Sequence, residues 1–251
     1  MIRIAAWHAL AALLVLVFAH TFELWRWLVA TLGPSGAAAI PIGLALALAG
    51  GFAAILVKRG AVDWRLLALA AALAGIGLLT TDPQFPAKRI HVPQYALLAA
   101  LLRLTLPDCA GWTRTLGAAF LATLYGVHDE FVQGLMPTRG YGTADMLTNA
   151  LGAFSGAVAL HDPRERAHKP PAPGDLARLA AMATIVGSLA IAFVDWRGAA
   201  LPWWPSAGFA LVFALGVAPG AWRPILRPCA LLGAAFPAYI LLHHALALPF
   251  R

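Results

Sequence analysis

Between Tyr125 and Gly152 the chain reads YGVHDEFVQGLMPTRGYGTADMLTNALG, bringing together Asp129, Glu130, Gln133, Arg139, Asp145 and Asn149. An earlier segment, AKRIHVPQY, adds Lys88, His91 and Tyr95. A histidine with carboxylates can move protons near neutral pH, and an arginine fork with a lysine point charge can hold a phosphate. The spacing supports a common site. Lys88, His91 and Tyr95 recur at i, i+3 and i+7, one face of a helix that begins near His91. Pro93 is tolerated there because a first-turn residue has no intrahelical N–H bond to lose. At about 100° per residue, Asp129, Glu130 and Gln133 share one sector of a helix, with Tyr125 one turn earlier. Asp145, Asn149, Gly152 and Gly156 follow the i, i+4, i+7, i+11 spacing of a single face. The linking MPTRGYGT is short, so the two helices are antiparallel neighbours, and Gly152 with Gly156 forms a seam that another helix can approach closely.

These positions imply roles. His91 with one of Asp129, Glu130 or Asp145 would supply acid–base catalysis. Lys88 and Arg139 would hold an anion such as a phosphate or pyrophosphate headgroup. Tyr95, Tyr125, Gln133 and Asn149 would complete the substrate-binding set. The plainer alternative is a salt-bridge network with amides as interhelical glue and tyrosines in an interfacial belt. His91 with the three acids would also suit an oxygen-preferring cation such as magnesium, but that spacing is not diagnostic, and no metal or other cofactor is expected. The adjacent His243 and His244 point in two directions on a helix and are not expected to be a ligand pair.

The elements that must position these groups are membrane helices. Of 251 residues 61% are hydrophobic and 12% charged, with a mean hydropathy of +0.77, leaving too little polar sequence to coat a soluble core. A bilayer core about 30 Å thick needs about 20 apolar residues per helix. Nine runs qualify as candidates: 5–31, 37–57, 64–81, 92–107, 113–136, 143–161, 177–196, 204–219 and 228–249. They are continuous rather than alternating, which argues against a barrel. The expected fold is all-α, a polytopic transmembrane helix bundle of about nine helices. The first run lacks a small-x-small cleavage site and reads as a retained helix rather than a secretory signal. In such a setting each ionised side chain near the bilayer centre costs on the order of 2.5–3.5 kcal/mol, so three acids need partners, water or a raised pKa.

The net charge of +7 first reports orientation. Alternating the nine runs places twelve of the 18 Lys and Arg on one side and six on the other, which favours a cytoplasmic N-terminus and puts residues 137–142 outside. Helix 92–107 is the weak link, because a re-entrant segment there would flip everything downstream. HDPRERAHKPPAPGD (161–175) then reads as a solvated cytoplasmic linker. Outward groups near the site include His20, Glu23, Arg26, Asp195 and Arg197. Trp196, Trp203 and Trp204 read as an aromatic belt or, alternatively, a lid. No basic stripe interleaved with exposed aromatics suggests nucleic acid, and Cys109 and Cys229 form neither a disulfide framework nor a metal motif.

The ordered pattern K-x-x-H-x-x-x-Y (Lys88, His91, Tyr95), Y-x-x-x-D-E-x-x-Q (Tyr125, Asp129, Glu130, Gln133), P-x-R (Pro137, Arg139) and D-x-x-x-N-x-x-G-x-x-x-G (Asp145, Asn149, Gly152, Gly156) resembles the VanZ-like family. That family often has an acid directly before the lysine; here Ala87 stands there, with Asp82 six residues before the lysine. The resemblance implies a small polytopic protein of the bacterial inner membrane, related to one giving low-level resistance to the glycopeptide teicoplanin. It divides the chain into N-terminal helices (1–79), a VanZ-like core (80–161), a cytoplasmic linker (162–176) and C-terminal helices (177–251). The expected partners are membrane lipids, including polyprenyl-phosphate-linked envelope intermediates, with protein partners undefined. The rival readings are a non-catalytic protein that alters antibiotic access or assembles with envelope partners, and a proton-coupled transporter. The transporter is disfavoured because the acids cluster near one surface instead of running through the bilayer.

Overall fold

The structure is a computed structural model that describes residues 2–165, 173–220 and 222–251. Among these residues it contains nine α-helices and no strand: α1 Ile2–Ala19, α2 Thr21–Arg59, α3 Trp64–Thr80, α4 His91–Leu102, α5 Gly111–Gly134, α6 Thr143–Ala159, α7 Pro173–Ala192, α8 Pro205–Val217 and α9 Arg223–Ala245. The all-α expectation holds. The 5–31 run is divided at His20, and its second half continues into the 37–57 run as α2. The two parts of α2 meet at Gly33 (φ 72°, ψ 167°) followed by Pro34. A residue before proline is pushed out of the α region, and glycine alone takes positive φ without penalty, so the chain bends there. Asp63 caps α3, its carboxylate accepting the N–H groups of Arg65 (2.9 Å) and Leu66 (3.3 Å), as a short acidic side chain does at a helix start.

Among the described residues three helices are long and apolar enough to cross a membrane: Thr21–Arg59, Gly174–Trp196 and Arg223–Ala245. Only 17% of the most apolar window of the first is buried, and Leu46, Val57 and Leu79 on α2 and α3 are each more than 60% exposed. Helices apolar on this much open surface are compatible with a membrane setting. The polar cluster lies on other helices. α4, with 12 residues, is only about 18 Å long at 1.5 Å per residue.

The chain forms two compact units: Met1–Gly126 with Ala144–His168, and Val127–Thr143 with Lys169–Arg251. These cut across the segments read from the sequence. Residues 80–161 are shared between both units, because the end of α5 and the connector to α6 pack with the C-terminal helices. Of the expected linker 162–176, residues 166–172 lie outside the described residues. The flanks are tied down: Glu165 bonds to Arg103 and Arg114 in the first unit, and Asp175 to Arg178 and the Trp222 N–H in the second.

In the first unit, α6 lies against α4 along the expected glycine seam. A Cβ on Gly152 would stand 2.6 Å from the Val92 carbonyl oxygen, and one on Gly156 would overlap the backbone of Ala96. Ser155 on the same helix donates to the Ala70 carbonyl of α3 at 2.9 Å. In the second unit α8 packs between α7 and α9, and Phe131, Phe193, Phe209, Phe236 and Phe250 form a buried aromatic core.

Candidate functional site

The first unit holds Lys88, His91, Tyr95, Tyr125, Asp145 and Asn149. α4 begins at His91, preceded by a 3-10 turn over Pro86–Ile90 that carries Lys88. Lys88 Nζ donates to Asp145 Oδ2 at 2.8 Å, the acid in the first turn of α6. The Asp145 side chain is 7% exposed and that of Lys88 40%, so the acid is neutralised inside while the ammonium keeps access to solvent or a ligand. His91 is buried and stacks on Tyr95 one turn on, with ring centroids 6.3 Å apart. Tyr95 is fully buried, edge-on to Phe18 of α1. Asn149 is fully buried and donates to the Gly126 carbonyl at 3.3 Å. A side chain at Gly126 would collide with both Asn149 and Tyr95, so that glycine sets how closely α4, α5 and α6 converge. Tyr125 is buried with its hydroxyl 3.3 Å from His8 Nδ1 of α1. Neither tyrosine occupies an exposed belt.

The second unit holds Asp129, Glu130, Gln133 and Arg139. All but Arg139 are at most 1% exposed. Glu130 accepts the Gly142 N–H at 3.0 Å and the Gln133 amide at 3.4 Å, and the Gln133 carbonyl oxygen in turn accepts from Arg139. This chain orders the connector. A carboxylate takes two donors and passes orientation through an amide to a guanidinium.

A distant segment also holds that connector. The backbone of Phe250 and Arg251 lies along it: Arg251 N–H donates to the Gly134 carbonyl at 2.9 Å, and Tyr141 N–H to the Arg251 carbonyl at 2.5 Å. The Arg251 guanidinium bonds the Pro137 carbonyl at 3.0 Å. Phe250, 1% exposed, fills the space beside Gly134. Nothing in local spacing links residues 134–141 to 250–251, so only the tertiary structure could reveal it.

His128 was also missed, being one position outside the Asp129–Glu130–Gln133 sector. Its Nε2 lies 3.0 Å from the Leu232 carbonyl and its Nδ1 3.0 Å from the Tyr239 hydroxyl, while its ring stacks on Phe236 at 3.9 Å. A carbonyl can only accept, so neutral His128 carries its proton on Nε2 and Nδ1 accepts from Tyr239. Pro237 lies inside α9, but a helix proline frees the carbonyl four residues before it, that of Gly233, so it does not mark Leu232 and no local signal pointed to His128.

Other groups have structural duties. His243 accepts the Leu201 N–H at 3.2 Å and His244 donates to the Leu201 carbonyl at 2.7 Å; the pair clamps a loop. Trp203, stacked on His244, and Trp204 are more than half exposed, as belt residues are. At the far ends of α4 and α6, buried Arg103 bonds Thr115 at 3.0 Å, and Thr115 lies 2.9 Å from His161 Nδ1. Burial, and then the Arg103 charge, holds His161 below the ordinary histidine range. Cys109 and Cys229 are free and buried, and burial raises the Cys109 thiol to about 11, so neither is a poised nucleophile.

No family model, no curated protein and no solved structure matches the chain.

Proposed function

We propose that this chain is a multi-pass protein of the bacterial inner membrane, with a cytoplasmic N-terminus and a VanZ-like core, that binds or acts on an anionic lipid-linked intermediate of the cell envelope. The observation that carries the reading is the fixed presentation of Arg139. Buried Glu130 and Gln133 orient it from within the second unit, and the backbone of residues 250–251 braces the loop it stands on. A packing helix has no need to position a loop cation this way, whereas recognition of a phosphate does. Lys88, half-exposed above Asp145 in the first unit, supplies a second cation. In the enzymatic form of the proposal His91 moves a proton together with Asp129, Glu130 or Asp145, and Tyr95, Tyr125, Gln133 and Asn149 line the substrate.

A specific observation favours a second reading, a non-catalytic lipid or envelope-partner binder. Glu130 and Asp145 are both already engaged, by Gly142 with Gln133 and by Lys88 respectively, which suits a rigid receptor. A proton-coupled transporter is the weaker alternative, since the acids stand at the end of α5 and the start of α6 rather than along the spans.

Arginine 139 supplies the test. If it holds a phosphate through its fork, Arg139→Lys weakens binding of polyprenyl phosphate about tenfold despite unchanged charge, and Arg139→Ala weakens it further. Native mass spectrometry with polyprenyl phosphate and a neutral lipid of equal chain length reads this out. Equal retention of both lipids by the wild type removes the phosphate from the proposal.

A further inference from the structure

The first unit contains an open apolar groove between α2, α3, α4 and α6. Its walls include Leu48 and Phe52 of α2, Ala70 of α3, and Val92, Pro93 and Ala96 of α4. Phe52, Ala70, Ala96, Val158 and Ala159 form a buried cluster, and all of them but Val158 line the groove. The only hydroxyl in the lining, Ser155, already donates to the Ala70 carbonyl at 2.9 Å. The lining is predominantly apolar, and an ordered water needs two to four polar partners, so hydrocarbon suits the groove better than water.

A charge stands close by in the chain. Arg89 lies in the 3-10 turn Pro86–Ile90 that runs into α4, three, four and seven residues before Val92, Pro93 and Ala96, which line the groove; helical spacing sets it on their side, about one turn before them. It is half-buried, and among the described residues no acid pairs with it. The neighbouring Lys88, by contrast, is paired with Asp145. A hydrocarbon slot with an uncompensated guanidinium close by matches one ligand chemistry.

We propose that this groove seats one hydrocarbon chain of an anionic phospholipid whose phosphate pairs with Arg89. The inference rests on the membrane placement proposed above, but not on the roles of Arg139, His91 or the acids. A chain leaving the bilayer for the groove exchanges one apolar surrounding for another, so packing fixes its place. Preference among lipids comes from the headgroup charge. Groove shape and Arg89 therefore have separable effects.

The full-length protein, delipidated in detergent, is exposed to phosphatidylglycerol or phosphatidylcholine of identical chains, and bound lipid is counted by native mass spectrometry. Wild type retains the anionic lipid about fivefold better, the scale of one basic residue near an anionic headgroup. Arg89→Gln equalises the two. Ala49→Leu with Ala71→Leu, both exposed groove-wall positions that can be filled without disturbing the core, lowers retention of both lipids severalfold. Ala47→Leu, exposed on α2 but outside the lining, leaves retention unchanged. Thermal unfolding of each variant establishes that it is folded. Equal retention by wild type and the groove-filled variant, an undiminished preference in Arg89→Gln, or a loss in Ala47→Leu matching that of the double variant each overturns the site. Displacement by millimolar inorganic phosphate also overturns it, reassigning Arg89 to a free anion. If Arg139→Ala abolishes polyprenyl-phosphate retention while Arg89 and groove variants change nothing, the function proposed above stands and this site fails. The reverse pattern leaves this site and removes that function.

Discussion

Asp129 and Glu130 are chain neighbours and equally buried, yet they are not equivalent probes. Glu130 accepts two hydrogen bonds, one of them the end of the chain through Gln133 to Arg139. An amide in its place would turn an N–H2 group toward either the Gly142 N–H or the Gln133 donor, so Glu130→Gln loses a charge-assisted bond and disturbs Arg139. The expected cost is about 1.5–3 kcal/mol. Asp129→Asn keeps volume and hydrogen-bonding capacity while removing the charge. If the acids serve a site, Asp129→Asn unfolds within a few degrees of wild type in detergent but loses lipid binding or the cellular phenotype. Failure of both variants to accumulate as folded protein would return the acids to a packing role. The residue types themselves were legible in the sequence, since scarce acids and amides stand out in a greasy chain. Which partner each group takes was not, because hydrogen-bond partners such as Gly142 for Glu130 and Tyr239 for His128 contribute backbone or distant groups that periodicity does not see.

Among the elements, the α4–α6 contact depends on the absence of two side chains. In an exposed helix Gly→Ala stabilises by about 1 kcal/mol through propensity. At Gly156 the added carbon would meet the Ala96 backbone, which cannot move aside as a flexible side chain can, so overpacking of about 1–3 kcal/mol exceeds that gain. Gly156→Ala is therefore expected to lower the unfolding temperature. Gly50→Ala in α2, where nothing lies within 4 Å, is expected to leave it unchanged or raise it. Thermal scans of both in one detergent decide; a neutral Gly156→Ala would mean that the helices are not in close contact. The seam was readable from i, i+4 spacing, but its partner was not. Any of the other helices could have met it, and the choice of α4 follows from the shape match at Val92 and Ala96. The boundaries at Gly33 and His20 were blurred because hydropathy is continuous across them, while backbone torsion is not.

For the whole molecule, orientation is the open physical quantity, and Gly140 is the position at which to measure it. It is exposed, and a Cβ there meets only Arg251 at ordinary van der Waals distance, so Gly140→Cys is tolerated. With Cys109 and Cys229 replaced, a membrane-impermeant thiol reagent is expected to label it in intact spheroplasts. Labelling only after lysis would invert the topology derived from the Lys and Arg bias. That bias, the helical class and the positions of the polar groups came from the sequence alone, because composition, charge distribution and helical period are local properties of a chain. The tertiary structure decided the rest. It assigned residues 127–143 to the company of the C-terminal helices, laid residues 250–251 along the connector that carries Arg139, and opened an apolar groove between α2, α3, α4 and α6. Each of these joins segments far apart in the chain, and such pairings follow from shape and from the satisfaction of buried donors and acceptors, neither of which leaves a periodic trace in sequence.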